Sequence, residues 1–171
     1  MKTLLIAGSN SSSSINKQLV KYAGVILKDA EYVDLTELDI PMFGEDLEKE
    51  IGSPDGVKKL ASLITGASSI VIATPEHNGA LPAFFKNILD WLSRTSRTYM
   101  ENTKVVVLAT SPGPGGANSA LSFLTNGLGY VGADVVSSFS LPSFYDNFDV
   151  EKGEIKTESF SSEFKKVLGN L

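Results

Sequence analysis

The sequence predicts an α/β fold of three layers, with a five-stranded parallel sheet of order 2-1-3-4-5 and helices on both faces. Three observations carry this. Short, continuous apolar runs of strand length recur five times along the 171 residues, and strands buried on both faces read that way. Stretches with apolar residues at helical spacing separate them, and such alternation implies a parallel sheet between layers of helices. Five strands in a chain of this length suit the smaller doubly wound order, not the six-stranded one. No internal repeat, low-complexity tract or linker breaks the pattern, so residues 1–171 are expected to form one domain.

The elements follow in order. Leu4 to Ala7 is the first strand, ended by Gly8-Ser9. Ile15, Leu19, Tyr22, Ala23, Ile26 and Leu27 then form a helical stripe. Tyr32 to Leu35 is a short second strand. Residues 36 to 53 read as irregular, with Pro41, Gly44 and Gly52, and their acidic stretch Glu45 to Glu50 reads as a solvated face. Pro54-Asp55 opens a helix whose stripe is Val57, Leu60, Ala61 and Ile64. Ser69 to Thr74 is the third strand. Pro82 starts a helix carrying Phe84, Phe85, Ile88, Leu89 and Leu92, since proline is tolerated in a first turn. Val105 to Ala109 is the fourth strand. Ala120, Leu121, Leu124, Leu128 and Val131 mark a helix that Gly127 and Gly129 fray. Val135 to Leu141 is the fifth strand. A loop with Phe144 and Tyr145 leads to a last helix with Phe160, Phe164, Val167 and Leu168. The whole is a flavodoxin-like arrangement.

Composition narrows the function. With 15 Lys+Arg against 20 Asp+Glu the net charge is −5, which argues against nucleic acid and anionic membranes as partners. The absence of cysteine removes disulfides, thiolate metal sites and a thiol nucleophile. The one histidine, His77, leaves no His-rich metal site, so no metal is expected. No apolar run approaches the ~20 residues of a membrane span. The apolar N-terminal run is too short for a signal peptide, so the chain is expected in the cytoplasm.

Ligands of such sheets bind outside the carboxyl ends of the strands, at the switch between strands one and three. The loop from Gly8 to Asn16 is rich in serine and runs into a helix N-terminus. It reads either as a phosphate cradle built from dipoles and hydroxyls or as a turn that only caps the helix. It lacks both the Walker and the G-x-G-x-x-G spacing. The loop Thr74-Pro75-Glu76-His77-Asn78-Gly79-Ala80-Leu81-Pro82 is stiffened by its prolines and suits the edge of a planar heterocycle. His77 either contacts that ring or is a surface histidine. Glu76 is a candidate base, with fixing the loop or facing a neighbouring subunit as the alternative. The loop Ser111-Pro112-Gly113-Pro114-Gly115-Gly116 lets a ring approach bare backbone, or is an ordinary strand-to-helix turn.

These residues, with Lys86-Asn87, Asp90-Trp91 and Ser93-Arg94, resemble the NAD(P)H-dependent FMN reductase family over nearly the whole chain. The family includes flavin, quinone, chromate and azo reductases. The resemblance implies bound FMN, NAD(P)H as co-substrate and a small-molecule electron acceptor such as a quinone, flavin, azo compound or metal oxyanion. It implies that Ser9, Ser11, Ser14, Ile15 and Asn16 lie at the FMN phosphate. Pro75, Glu76, His77, Asn78 and Gly79 would border the isoalloxazine, with Ser111 and Gly113 on the other side. No protein side chain is assigned a catalytic role, because flavin N5 carries the chemistry. Asp90, Trp91 and Arg94 would steady their helix, and a homodimer or homotetramer is implied. Two positions depart from the family pattern. Ser11 stands where an arginine is common, which leans away from strong NADPH selectivity, and His77 stands where a tyrosine is common. The rival readings are a flavodoxin-type electron carrier that takes no hydride from NAD(P)H, and a non-catalytic flavin sensor.

Overall fold

The computed structural model describes residues 2–171. Its sheet contains β1 (Lys2–Ala7), β2 (Ala30–Val33), β3 (Ala67–Thr74), β4 (Lys104–Thr110) and β5 (Asp134–Leu141). All pairings are parallel and the order is β2-β1-β3-β4-β5, as the alternation of strand and helix patterns predicts. The helices are α1 (Ile15–Leu27), α2 (Glu45–Ile51), α3 (Asp55–Thr65), α4 (Ala83–Thr95), α5 (Asn118–Leu128), α6 (Phe144–Asn147) and α7 (Glu158–Leu168).

The pleat divides the core in two. Leu4, Ile6, Ile70, Ile72, Val105 and Val107 point to one face and meet α3, α4 and α5 through Leu60, Ile64, Ile88, Trp91 and Leu124. Leu5, Ala7, Val71, Ala73, Val106 and Leu108 point to the other face and meet α1 and α7 through Leu19, Val20, Phe164 and Val167. Apolar residues on both sides of every strand are what a doubly covered sheet requires. Aromatic stacking closes the second core, with Tyr22 parallel to Phe164 at 5.4 Å and Phe144 on Phe148 at 4.6 Å.

Three segments differ from the sequence expectation. Residues 36–53 are not wholly irregular, because Glu45–Ile51 forms α2. Glu45, Asp46 and Glu48 lie in its first turn, where carboxylates favour the helix dipole. Arg94 Nε then donates to both Glu48 oxygens, at 2.9 and 3.1 Å, and docks α2 against α4. The second strand stops at Val33. Asp34 caps a 3-10 turn over Leu35–Glu37 by accepting from the Thr36 N–H at 3.0 Å, and that bond takes Leu35 out of the ladder. The loop after β5 is not bare either. It forms α6 and then a small antiparallel hairpin, β6 (Phe148–Asp149) and β7 (Glu154–Ile155).

Just before α2 the chain at Pro41–Phe43 is fixed by α4. The Pro41 carbonyl accepts from Trp91 Nε1 at 2.8 Å and Asn87 Nδ2 at 3.0 Å, and Asn87 Oδ1 accepts from the Phe43 N–H at 2.7 Å. Trp91 is fully buried with Phe43 edge-on at 5.1 Å, so it holds α4 in place from within. Its Asp90 neighbour pairs with Lys86 one turn earlier. No described helix is long and apolar enough to cross a membrane.

Candidate functional site

Strands β1, β3 and β4 end side by side, and the loops that follow them surround a cleft of about 280 Å3. Of the residues predicted from sequence, Ser9, Ser11, Ser14, Ile15, Asn16, Pro75, Glu76, His77 and Ser111 line it. Asn78, Gly79 and Gly113 do not. Ser13, Thr110, Pro112 and Tyr145 line it as well, and sequence reasoning missed them. The signal for Tyr145 was available, because it follows the fifth strand at the same sheet edge. A larger depression of about 720 Å3 lies at the opposite end of β3 and β4, around Thr65, Ser68, Thr95, Tyr99 and Glu101. It contains none of the predicted residues and sits at the end of a parallel sheet where ligands are not bound.

The first loop ends in a helix cap. Ser14 has extended backbone, and its Oγ accepts from the Lys17 N–H at 3.3 Å. The Ser11 N–H donates to Ser9 Oγ at 3.3 Å. Among the described residues the N–H groups of Ser12, Ser13, Ile15 and Asn16 have no protein acceptor. Four unpaired donors, two of them in the first turn of α1 and two in the loop before its cap, could hold an anion. Gly8 makes the loop possible, because any Cβ there would run into the Phe85 ring of α4.

Asn16 lines the cleft, and its side chain is used as a clamp. It is 1% exposed, its Nδ2 donates to the Thr110 carbonyl at 3.0 Å, and its Oδ1 accepts from the Thr110 N–H at 3.1 Å. The side chain therefore clamps α1 to the end of β4, and only its backbone N–H faces the cradle.

The cation in the first turn of α1 is also committed. Lys17, in the first turn of α1, reaches the Asp34 carboxylate at 3.3 Å. Burial works to raise the Asp34 carboxyl, but hydrogen bonds from Thr36 and the Lys17 ammonium outweigh it and hold the group below its usual value of 3.8. A depressed carboxyl stabilises the fold above its unfolded value, and that stabilisation is lost as pH falls through the folded one. The urea midpoint of the parent should thus fall more between pH 5 and pH 3 than that of Asp34→Asn. Equal slopes for the two proteins would show that the pair contributes nothing.

The second loop is a tight hairpin. The His77 N–H donates to the Ala80 carbonyl at 2.9 Å, and the Ala80 N–H donates back at 3.1 Å. Asn78 and Gly79 both take positive φ, 54° and 75°, as Asn-Gly does in a type I′ turn. The turn carries Asn78 and Gly79 away from the cleft and leaves His77 exposed at its mouth. Glu76 points across to α5, where its Oε2 accepts from the Ser119 and Ala120 N–H groups at 2.9 and 3.1 Å.

The third loop is pinned from behind. The Ser111 carbonyl accepts from the Phe144 N–H at 3.0 Å, and the Gly113 carbonyl from the Ser143 N–H at 2.9 Å. Gly116 is required here, since its φ is +59° and a Cβ would strike Ser140 Oγ. These bonds place Gly113 behind the loop, with Ser111 and Pro112 facing the cleft.

Residues 1–146 match the family described as NADPH-dependent FMN reductase. The chain belongs to that family. It is an NAD(P)H-dependent oxidoreductase with FMN as its cofactor and a flavodoxin-like fold. An NADPH:quinone oxidoreductase of Arabidopsis thaliana is 28% identical to this reductase over 181 aligned positions, covering 100% of this chain and 90% of its own. An uncharacterized protein of Mycoplasma pneumoniae is 28% identical over 155, covering 88% and 92%. Among solved structures, the flavoenzyme NAD(P)H:(acceptor) oxidoreductase FerB of Paracoccus denitrificans superposes with a TM-score of 0.78 at 25% identity, covering 98% of this chain and 93% of its own.

The residues present suit the cofactor. The cradle offers unpaired N–H groups and serine hydroxyls to a phosphate, and the stiff walls at Pro75–His77 and Thr110–Pro112 flank the space beside it. The volume, about 280 Å3, lies just below the ~300–1,000 Å3 usual for ligand sites, as suits a cleft open to solvent.

Proposed function

We propose that this reductase carries two electrons from NAD(P)H, through FMN held in the cleft, to a small acceptor of the quinone class. The observation that carries this reading is the anion cradle at the α1 N-terminus, which opens into a shallow cleft between two rigid loops. The quinone preference draws on the name of the full-length Arabidopsis relative. Flavins, azo compounds and metal oxyanions are the remaining acceptors of this reading.

When bound, FMN supplies the redox chemistry, accepting a hydride equivalent and passing on two electrons. The protein binds and orients. The N–H groups of Ser12, Ser13, Ile15 and Asn16 hold the phosphate, helped by the helix dipole and the hydroxyls of Ser9, Ser11 and Ser14. Pro75, Glu76 and His77 would border one side of the ring and Ser111 the other. The mouth between His77 and Tyr145 stays open, so donor and acceptor reach the same place in turn. Self-association as a homodimer or homotetramer belongs to this reading and is supported by exposed Phe123 and Tyr130, at 55% and 88%. So does a place in the cytoplasm, which supplies NAD(P)H.

The test is an absorption spectrum of the protein with FMN, followed by anaerobic NADH and then NADPH. A bound flavin band should bleach with at least one donor and recover on adding a benzoquinone. Bound FMN that ignores both donors and yields only to dithionite would make the protein an electron carrier. If no FMN binds at micromolar concentration, the phosphate cradle is misread.

A further inference from the structure

We propose that Glu76 is a positioning residue that braces two walls of the cleft together and sets a fixed negative charge beside the flavin, weakening the binding of reduced FMN relative to oxidised FMN. This rests on the FMN reading of the cleft.

The geometry is specific. Glu76 lines the cleft from the loop after β3, yet its Oε2 accepts from two backbone N–H groups in the first turn of α5, at 2.9 and 3.1 Å. The residue that caps α5 is therefore not its neighbour in sequence. Ala117, at the cap position, has φ of 62° and offers no side-chain bond. One carboxylate thus ties the Pro75–Ala80 hairpin to the helix that follows the Ser111–Gly116 loop. The other oxygen, Oε1, has no hydrogen-bond partner among the described residues, so the charge is only partly spent on the helix.

The electrostatic consequence has a definite sign. Two-electron reduction of a flavin leaves it more negative, so a nearby carboxylate opposes reduction. The bare N-terminus of α5 would favour it. With Glu76 present the helix dipole is offset. With the charge removed and the cap kept, the dipole acts on the flavin unopposed. At an effective dielectric near 20, one unit charge at the wall of the cleft is enough to shift the ratio of two binding constants by about tenfold.

Two substitutions separate charge from brace. Glu76→Gln keeps an acceptor for the Ser119 and Ala120 N–H groups but removes the charge. Glu76→Asp keeps the charge but is one methylene too short to hold both bonds. For the parent and each variant, the affinity of oxidised and reduced FMN is measured by anaerobic titration, and KM for donor and acceptor in turnover. Glu76→Gln should shift the ratio about tenfold toward reduced FMN. Glu76→Asp should keep the parent's ratio and raise KM, because the walls are no longer tied.

A ratio for Glu76→Gln within twofold of the parent would reduce Glu76 to a helix cap and overturn the proposal. So would a shift in Glu76→Asp equal to that in Glu76→Gln. Should Glu76→Gln not fold, Glu76→Asp still decides, since a shifted ratio with the charge retained assigns the effect to geometry. A parent that binds no FMN would instead overturn the cofactor reading itself.

Discussion

Replacing Ser14 with aspartate is expected to cost FMN affinity at least 100-fold while leaving the fold as stable as before, or more so. Ser14 caps α1 through its Oγ and lines the cleft. Aspartate caps a helix as well as serine does, and its charge favours the dipole, so α1 keeps or gains stability. The same charge would face the phosphate dianion in the cradle. At about 4 Å and an effective dielectric of 20, each pair of unit charges repels by about 4 kcal/mol, enough for two to three orders of magnitude in affinity. Lys17 is not free to relieve this repulsion, because it is already bound to Asp34. Flavin fluorescence titration and a thermal melt of the apo-protein check both halves. Affinity within tenfold of the parent would move the phosphate away from the α1 N-terminus.

The Asn16→Leu substitution should be the most destabilising conservative-size change in the site. Leucine fits the volume but leaves the Thr110 N–H and carbonyl buried without partners, since Asn16 serves both. Thr110 is 1% exposed, so water does not replace them. One unsatisfied buried group costs about 1–3 kcal/mol, and two give about 3 kcal/mol here. For a chain of this size that lowers the melting temperature by about 9 °C. Thr110 is the last residue of β4 and precedes the third cleft loop, so FMN affinity should fall as well. A urea midpoint unchanged from the parent would show that the clamp carries no weight.

The two residues were not equally legible. Ser14 could be placed from sequence, because a serine just before an apolar helical stripe is a cap wherever the helix packs. Asn16 could not. Its position at the phosphate loop suggested a ligand contact, while its side chain is used 94 positions away. Glu76 shows the same limit. Its loop marked it as near the ring, and fixing the loop was one of its readings, but α5 as its partner emerges only when β3 and β4 lie side by side. Asn78 and Gly79 lie outside the lining of the cleft for a local reason. Their Asn-Gly pair is a turn signal that turns both away from the cleft. The α2 helix was missed because its stripe is weak. It has no fully buried residue, and its contacts are long-range: Leu47 packs against the core and Glu48 pairs with Arg94 across 46 positions.

The sequence by itself determined the strand order, the two-sided core and the three loops that surround the cleft. Each is written in local periodicity and turn chemistry, and a parallel sheet permits few ways to connect such elements. Only the tertiary structure decided which polar side chains face the cleft and which brace it. Buried polar groups must find partners, and those partners are set by which strands become neighbours. Asn16 and Glu76 took backbone groups of β4 and α5, and the cradle was left to the backbone N–H groups that no side chain had claimed.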